Sequence, residues 1–403
     1  MNITEVLVPA QEIAWLPWAV QYFFYIGSAY AAAILFLIAL IFKNSTSHQF
    51  RSALVLVMAI GAIVGPLALT GDLHQPGRAW HFYAHITPWS WMSLGSLFLP
   101  LFSGLAVATA WVYLRDDIAQ LKQSENPLLK RLAWLTLGQW QISSKLMIAL
   151  AAATAISGLS IALYTGAEIA ILASRPLWHQ PASPLLWFTT AFFAATGLTL
   201  LIWALLPSSK PSLKPTDLAI VQRTITLTGG LAIILTSIWA SNHGHFNLYE
   251  NDAWGINLGI MTTSILLCMI LVLPLQRLSQ SKLGIVCIAL ATMISAWAVR
   301  WVTMMEVQTI PRFDVGPFPY ELPMGSAGLL GIVGMCGLWL ALALFASEIV
   351  STRTIGSTQT MVSTRTIGST RTIGSTRTTS SAPKTTSKPN QNTPSPLNRS
   401  HSL

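Results

Sequence analysis

Ionisable and aromatic side chains are concentrated between residues 71 and 82, where the chain reads GDLHQPGRAWHF. Asp72, His74, Arg78 and His81 fall within this segment, and long apolar stretches precede and follow it. Only 9% of the chain is charged, so this concentration is a local feature. Because ionisable groups are costly beside lipid, those at the end of a membrane span usually mark a functional site. We therefore expect proton or anion chemistry here.

Two later segments carry compatible groups. Tyr164 and Glu168 close one apolar stretch in the sequence YTGAE, and Arg175 and Trp178 follow it in RPLW. Acids, a phenol, arginine and tryptophan together suit the head group of a quinol, whose hydroxyls need proton acceptors and whose ring needs a flat apolar slot. A carboxylate in such a place can take up a proton during the reaction and release it afterwards. Glu168 and Asp72 are the candidates for that step.

The same acids and arginines also allow a purely structural interpretation. Asp72 with Arg78, and Glu168 with Arg175, could form ion pairs that only hold loops in place. The position of Glu168 beside Tyr164 favours a functional role for this acid. The residues alone leave both interpretations open.

Other polar and aromatic residues near the span ends could also have purely structural roles. His74 and His81 lie in a loop, where histidine is more often structural than catalytic. Trp80 fits the aromatic belt that membrane proteins place at the interface. Gln21 is a lone amide near the start of a span and could simply bond to another helix.

The distribution of histidine and cysteine argues against a haem or a metal centre. A transmembrane haem needs histidines that face each other at mid-span depth. All eight histidines fall in loops, at span ends or in the tail, at positions 48, 74, 81, 85, 179, 243, 245 and 401. The three cysteines show no CxxC or Cys/His spacing, so neither an iron–sulfur cluster nor a structural zinc is expected. A chain that oxidises quinol must then pass the electrons to a partner.

These residues must be positioned by membrane helices. The chain has 403 residues, is 53% hydrophobic and has a mean hydropathy of +0.56, which is typical of a polytopic membrane protein. Apolar stretches long enough to cross a bilayer predict an all-α fold of about nine spans. They cover residues 20–42, 51–71, 91–114, 146–165, 185–206, 221–241, 254–274, 283–303 and 324–346.

The basic residues predict how these spans are oriented. Nine spans place the N-terminus and the loops near 72–90, 166–184, 242–253 and 304–323 on one side, where only Arg78, Arg175 and Arg312 are basic. The positive-inside rule therefore puts the N-terminus in the periplasm and the C-terminus in the cytoplasm. The net charge of +9 reflects this topology, and nucleic-acid binding is not expected. The basic residues of the other side are Lys43, Arg51, Arg115, Lys122, Lys130, Arg131, Lys145, Lys210, Lys214, Arg223, Arg277 and Lys282.

The composition changes after residue 348. The unit STRTIG begins at residues 351, 363 and 369, and the remainder is rich in Ser, Thr, Pro and Asn. Such a segment cannot bury an apolar core. We therefore predict one membrane domain over residues 1–348 and a disordered tail over 349–403.

Taken together, the motifs resemble those of the NrfD/polysulfide-reductase family of membrane subunits, and most closely its tetrathionate reductase branch. The resemblance covers essentially residues 10–348. Where the broader family commonly has a Gly-Arg-Pro run, this chain has His-Gln-Pro-Gly-Arg at 74–78, which suits the tetrathionate branch. The matching segments are residues 15–24, 66–75, 78–83, 87–92, 164–168, 175–178, 307–311 and 319–323.

The resemblance implies a haem-free subunit of the bacterial inner membrane that oxidises menaquinol or ubiquinol at its periplasmic face. It would pass two electrons to a periplasmic four-cluster iron–sulfur subunit, which supplies a molybdopterin catalytic subunit that reduces tetrathionate. The chain alone would have no complete catalytic activity.

The resemblance also assigns roles to individual residues. Tyr164 would hydrogen-bond a quinol oxygen, and Asp72 and Glu168 would accept protons. The residues expected to contact quinol or to tune these acids are Gln21, His74, Arg78, Trp80, His81, Arg175 and Gln308.

Two other functions remain open from the sequence. The chain could transport a small anion with Arg78 and Arg175 as the binding cations, or it could be a purely structural anchor for soluble subunits. A transporter of this size usually contains repeated, broken helices with polar groups near the midplane. No such repeat is visible, and the polar residues cluster at one face, which favours quinol chemistry.

Overall fold

The computed structural model describes residues 13–138, 140–206, 213–241, 252–310 and 320–370. Within these ranges the fold is all-α, with nine helices long and apolar enough to cross a membrane and no β-strand. The predicted nine-span fold is therefore confirmed. The long helices are α1 (Pro17–Ile41), α2 (His48–Asp72), α3 (Trp91–Gln120), α4 (Ser144–Ala170), α5 (Ala182–Leu205), α6 (Pro215–Ser241), α7 (Asp252–Val272), α8 (Lys282–Trp301) and α9 (Leu329–Thr370).

Shorter helical segments connect or extend these spans. A π-helical turn over Val302–Glu306 and a last turn over Val307–Thr309 continue α8, so that this span ends at Thr309. Single π turns inside α-helices are rare, but those that occur often lie at functional sites. The remaining short segments are Pro76–Arg78, His81–Ala84, Leu121–Gln123, Pro127–Leu132, Ala133–Thr136 and Leu275–Leu278.

Serine residues define the start of several spans. The hydroxyls of Ser47, Ser90, Ser143 and Ser281 accept hydrogen bonds from backbone N–H groups in the first turns of α2, α3, α4 and α8. The first N–H groups of a helix have no partner within the helix, so these side chains fix where each span begins. α1 instead begins with Pro17, whose missing N–H costs nothing at that position.

The core of the bundle surrounds α1. This helix packs against α2, α4, α5 and α8, and α1 and α5 are the two most buried spans of the described chain. By contrast, α7 and the part of α9 over Leu329–Val350 have few buried side chains. Odd-numbered helices begin, and even-numbered ones end, at the face where α1 starts. We call this the N-side face and the other the C-side face.

Part of the segment predicted to be disordered is helical in the structure. α9 continues to Thr370, through residues that the sequence placed in the tail, and residues 371–403 lie outside the described chain. Extending an existing helix costs far less than starting one, so a polar segment that directly follows a membrane helix can continue it. Compact units are found over Met1–Gly356 and Ser357–Leu403, and the division at residue 348 stays a prediction.

Candidate functional site

Tyr164 and Glu168 lie four residues apart near the end of α4, and therefore on the same side of that helix. The Tyr164 ring is buried and the Glu168 side chain is half-buried. Both line a cavity of about 160 Å³ near the N-side face, between α2, α3 and α4. Its other lining residues are Pro66, Leu69, Thr70, Leu73, Ala79, Phe82, Tyr83, Met92, Gly95, Ser96 and Leu99.

The position of the Tyr164 ring depends on a glycine of α3. A Cβ added at Gly95 would overlap the Cζ and Cε2 atoms of Tyr164 and lie 2.7 Å from Cε1. Glycine is the residue that allows such a close approach of a backbone and a ring. Gly95 and Tyr164 thus form one wall of the cavity together.

A second phenol lies behind Tyr164. Tyr22 of α1 is fully buried, and it is within electrostatic reach of both Tyr164 and Glu168. Its hydroxyl is oriented towards that of Tyr164, although no described partner lies within 3.5 Å of it. Glu168 also interacts electrostatically with Asp72. Two phenols and two carboxyls therefore form a cluster that reaches from the cavity into the core, and such groups can hold and transfer protons.

Asp72 belongs to this cluster and also makes a structural contact. It is the last residue of α2, and its Oδ1 accepts a hydrogen bond of 2.9 Å from the backbone N–H of Leu16. This bond fixes the start of α1 against the end of α2. No ion pair joins Asp72 to Arg78 among the described residues, so that structural alternative is not observed. Asp72 does not line the cavity itself.

Gln308 and Arg175 hold the end of the α8 span. The Gln308 side chain accepts from the N–H of Trp15 at 2.9 Å and donates to its carbonyl at 3.0 Å. Arg175 Nη1 donates to the carbonyl oxygens of Val307, Gln308 and Ile310 at 3.0, 3.3 and 2.6 Å. Both side chains lie outside the cavity lining, and their contact with quinol stays a prediction.

The loop residues predicted to bind quinol lie around the cavity rather than in it. His74, Arg78, Trp80 and His81 are exposed, and Trp80 packs edge-on against His81 with ring centres 4.0 Å apart. Ala79, Phe82 and Tyr83 of the same loop line the cavity instead. Direct contact of these four with quinol therefore stays a prediction.

Gln21 has an unusual environment. It is buried in α1, and neither atom of its amide has a hydrogen-bond partner among the described residues. A buried amide without a partner is costly, and each such case needs an explanation. Gln21 precedes Tyr22 in sequence, but it does not line the cavity.

The sequence prediction missed Tyr22 and Gly95. Tyr22 lies inside an apolar stretch and directly after Gln21, so its hydroxyl was an available signal. An isolated glycine inside a helical pattern often has a packing reason. Its partner in α4, however, is 69 positions away (164 − 95 = 69) and cannot be read from the local pattern.

Comparison with known proteins decides the family. The family described as "Polysulphide reductase, NrfD" matches residues 5–312, which include every candidate site residue. The chain belongs to the NrfD family. This is an integral membrane family, and the nine apolar helices are accordingly those of a multi-pass membrane protein.

Two curated relatives extend this result. The chain is 33% identical to the C subunit of tetrathionate reductase from Salmonella typhimurium over 87% of its own length and 96% of the relative. It is 22% identical to the C subunit of selenate reductase from Mesobacillus selenatarsenatis over 75% of each chain. The resemblance inferred from the sequence motifs is thus confirmed.

Proposed function

We propose that this NrfD-family chain is the membrane subunit of a respiratory molybdoenzyme complex and that it oxidises quinol in the cavity lined by Tyr164 and Glu168. The cavity carries the proposal. It places a phenol and a carboxyl inside an otherwise mostly apolar pocket between α2, α3 and α4, near one membrane face. A hydrophobic pocket with a few convergent polar groups is the usual form of a small-molecule site.

The chemistry follows from the side chains present. The apolar lining would receive the quinol ring, and the Tyr164 hydroxyl would hydrogen-bond one quinol oxygen. Glu168 would accept a proton as the quinol is oxidised. Oxidation of one quinol to quinone releases two protons and two electrons, so a second proton must leave, and Asp72 is the candidate second acceptor. The electrons would pass to a partner subunit.

The proposed partners are a four-cluster iron–sulfur subunit and a molybdopterin catalytic subunit, both in the periplasm. The two relatives are the C subunits of a tetrathionate and a selenate reductase, which supports membership in such a complex. The higher identity and wider coverage favour tetrathionate as the final oxidant. The scarcity of basic residues in the N-side loops supports a periplasmic N-side face in the bacterial inner membrane.

Electron transfer from a menaquinol analogue to tetrathionate tests this proposal in membranes that contain the chain and its partner subunits. Glu168→Gln should lower the rate by at least roughly 100-fold, the lower end of what a positioned base contributes. Tyr164→Phe removes the hydrogen bond that positions the quinol and should lower the rate by about 100-fold, as a misplaced reactant does. Immunoblots of each subunit report assembly. Glu125→Gln is the matched control, because it removes an exposed carboxyl from the C-side face.

The alternatives predict different results. A purely structural anchor would keep electron transfer in both variants. An anion transporter would keep electron transfer and lose substrate uptake when Arg78 or Arg175 is replaced. Full activity in Tyr164→Phe and Glu168→Gln would therefore contradict the proposed site.

A further inference from the structure

A second and larger cavity lies near the C-side face. It has a volume of about 360 Å³ and is lined by the end of α1, the start of α2, the last turns of α3, the loop that leads into α4 and the first turns of α4. Lys43, Arg51 and Arg115 bring three cationic groups to its wall. It is formed by other residues than the Tyr164 cavity and belongs to the opposite face of the bundle.

The charge of these three groups is not neutralised by a carboxylate in the described part of the chain. Among the described residues, no carboxylate forms an ion pair with Lys43, Arg51 or Arg115. Asp116 also lines the cavity but is exposed and pairs with none of them, whereas the buried Asp117 pairs with His48. The cavity therefore carries a net positive charge.

Neutral hydrogen-bond acceptors hold the three cations in place. Lys43 Nζ donates to Ser144 Oγ at 2.6 Å, and Arg51 Nε donates to the Tyr113 hydroxyl at 3.0 Å. Arg115 is 8% exposed and donates to the carbonyl oxygens of Thr136, Gly138 and Trp140. These contacts fix the geometry of the cations and leave their charge available. A cation that is positioned in advance loses less entropy when an anion binds.

The start of α4 adds to the positive potential. Ser144 is the first residue of this 27-residue helix, and it also lines the cavity. The N-terminus of a helix carries a partial positive charge and unpaired N–H groups, both of which favour an anion. Lys43 and the α4 terminus thus approach the same space from two helices.

The remaining wall of the cavity is apolar. Leu40, Val112, Met147 and Ile148 line it from α1, α3 and α4. A cavity that offers cations at one end and apolar surface at the other suits a molecule with a phosphate group attached to hydrocarbon. Arginine and lysine near a membrane face are the usual partners of phosphate-bearing headgroups.

We propose that the cavity lined by Lys43, Arg51 and Arg115 binds a phosphate-bearing anion. The apolar wall favours an anionic phospholipid, whose headgroup would carry this phosphate. Such a lipid would fill the space between α1, α3 and α4 on the C-side face. The same cations could also bind free phosphate, and the experiment separates these two sources.

The test uses the full-length chain, purified in detergent and depleted of lipid. Retention of phosphatidylglycerol and of phosphatidylcholine with identical acyl chains is measured by native mass spectrometry, with inorganic phosphate as a competitor. Phosphatidylglycerol should bind preferentially. Lys43→Gln should weaken its binding roughly fivefold, the contribution of one lysine near an anionic surface. Lys43→Arg should preserve binding, and Lys130→Gln is the control because Lys130 is exposed on the same face outside the cavity.

Each outcome is informative. If inorganic phosphate displaces phosphatidylglycerol and its own binding depends on Lys43, the phosphate site stands and the soluble ion is the occupant. Equal retention of the two lipids in the absence of phosphate binding would overturn the proposal. An equal effect of Lys43→Gln and Lys130→Gln would overturn it as well. Lys43 is exposed, so a thermal melt should confirm that its substitution leaves the bundle folded.

Discussion

Replacing Gly95 by alanine tests whether the position of the Tyr164 ring controls electron transfer. The added methyl group would point into the ring, overlapping two of its carbons and lying 2.7 Å from a third. Carbon atoms in ordinary contact are about 3.5–4.0 Å apart. The whole ring must therefore move by roughly 1 Å or more, because a phenol ring is rigid and cannot bend away as the end of a long flexible side chain can.

The size of the effect follows from this displacement. A misplacement of about 1 Å at a reacting group can lower a rate by about 100-fold. The same substitution overpacks the contact between α3 and α4, which typically costs about 1–3 kcal/mol of stability. We expect the larger loss in electron transfer from quinol, together with a moderate fall in the melting temperature.

The assay compares Gly95→Ala with Gly104→Ala in the membrane system described above. Gly104 lies in the same helix, but nothing lies within 4 Å of a Cβ at this position, so its substitution should be nearly silent. In a double variant with Tyr164→Phe, Gly95→Ala should add little further loss, because both changes act on one group. Wild-type electron transfer in Gly95→Ala, with the complex assembled, would refute this reasoning.

Two further predictions separate structural from chemical roles. Asp72→Asn retains an oxygen that can accept from the N–H of Leu16, whereas Asp72→Ala leaves that N–H without its partner. The alanine variant alone should lose about 1–3 kcal/mol in thermal unfolding, while both should slow quinol oxidation, and full activity of Asp72→Asn would exclude a proton-accepting role. Arg175→Lys keeps the charge but cannot reproduce the planar guanidinium that bonds three carbonyls at the end of the α8 span. Its melting temperature should fall by a few degrees, and an unchanged value would show that this clamp contributes little.

The helices and the pair of Tyr164 and Glu168 could be predicted because the signal is local. Long apolar stretches give the spans, and two polar residues four apart at the end of one span must share a side of the helix. The structure brings both into one cavity. Hydropathy does not give every helix boundary, since α3 continues six residues beyond its apolar stretch (120 − 114 = 6).

The contributions of Gly95 and Tyr22 depend on which helices touch, and the sequence pattern does not specify that. The apolar surface of a membrane helix can face lipid or protein, so hydropathy does not distinguish a buried side from an exposed one. α1 and the Leu329–Val350 part of α9 illustrate this, because their hydropathy is almost equal and their burial is very different. The loop over 71–82 gives the opposite example. Its ionisable side chains stand out in the sequence, but they lie outside the cavity lining.

The central position of α1 has a consequence for how the protein is made. α1 leaves the ribosome before the other described spans and is also among the most buried of them, and its contacts with α5 and α8 come from parts of the chain synthesised much later. One of them, the hydrogen bond from Arg300 to the carbonyl of Phe23, joins residues 277 positions apart. During synthesis the part of α1 around Phe23 and Phe24 therefore waits in the bilayer without its α8 partners Trp297 and Arg300. A chain that stops before α8 would leave this part of α1 open to lipid, where quality-control proteases can recognise an unfinished protein.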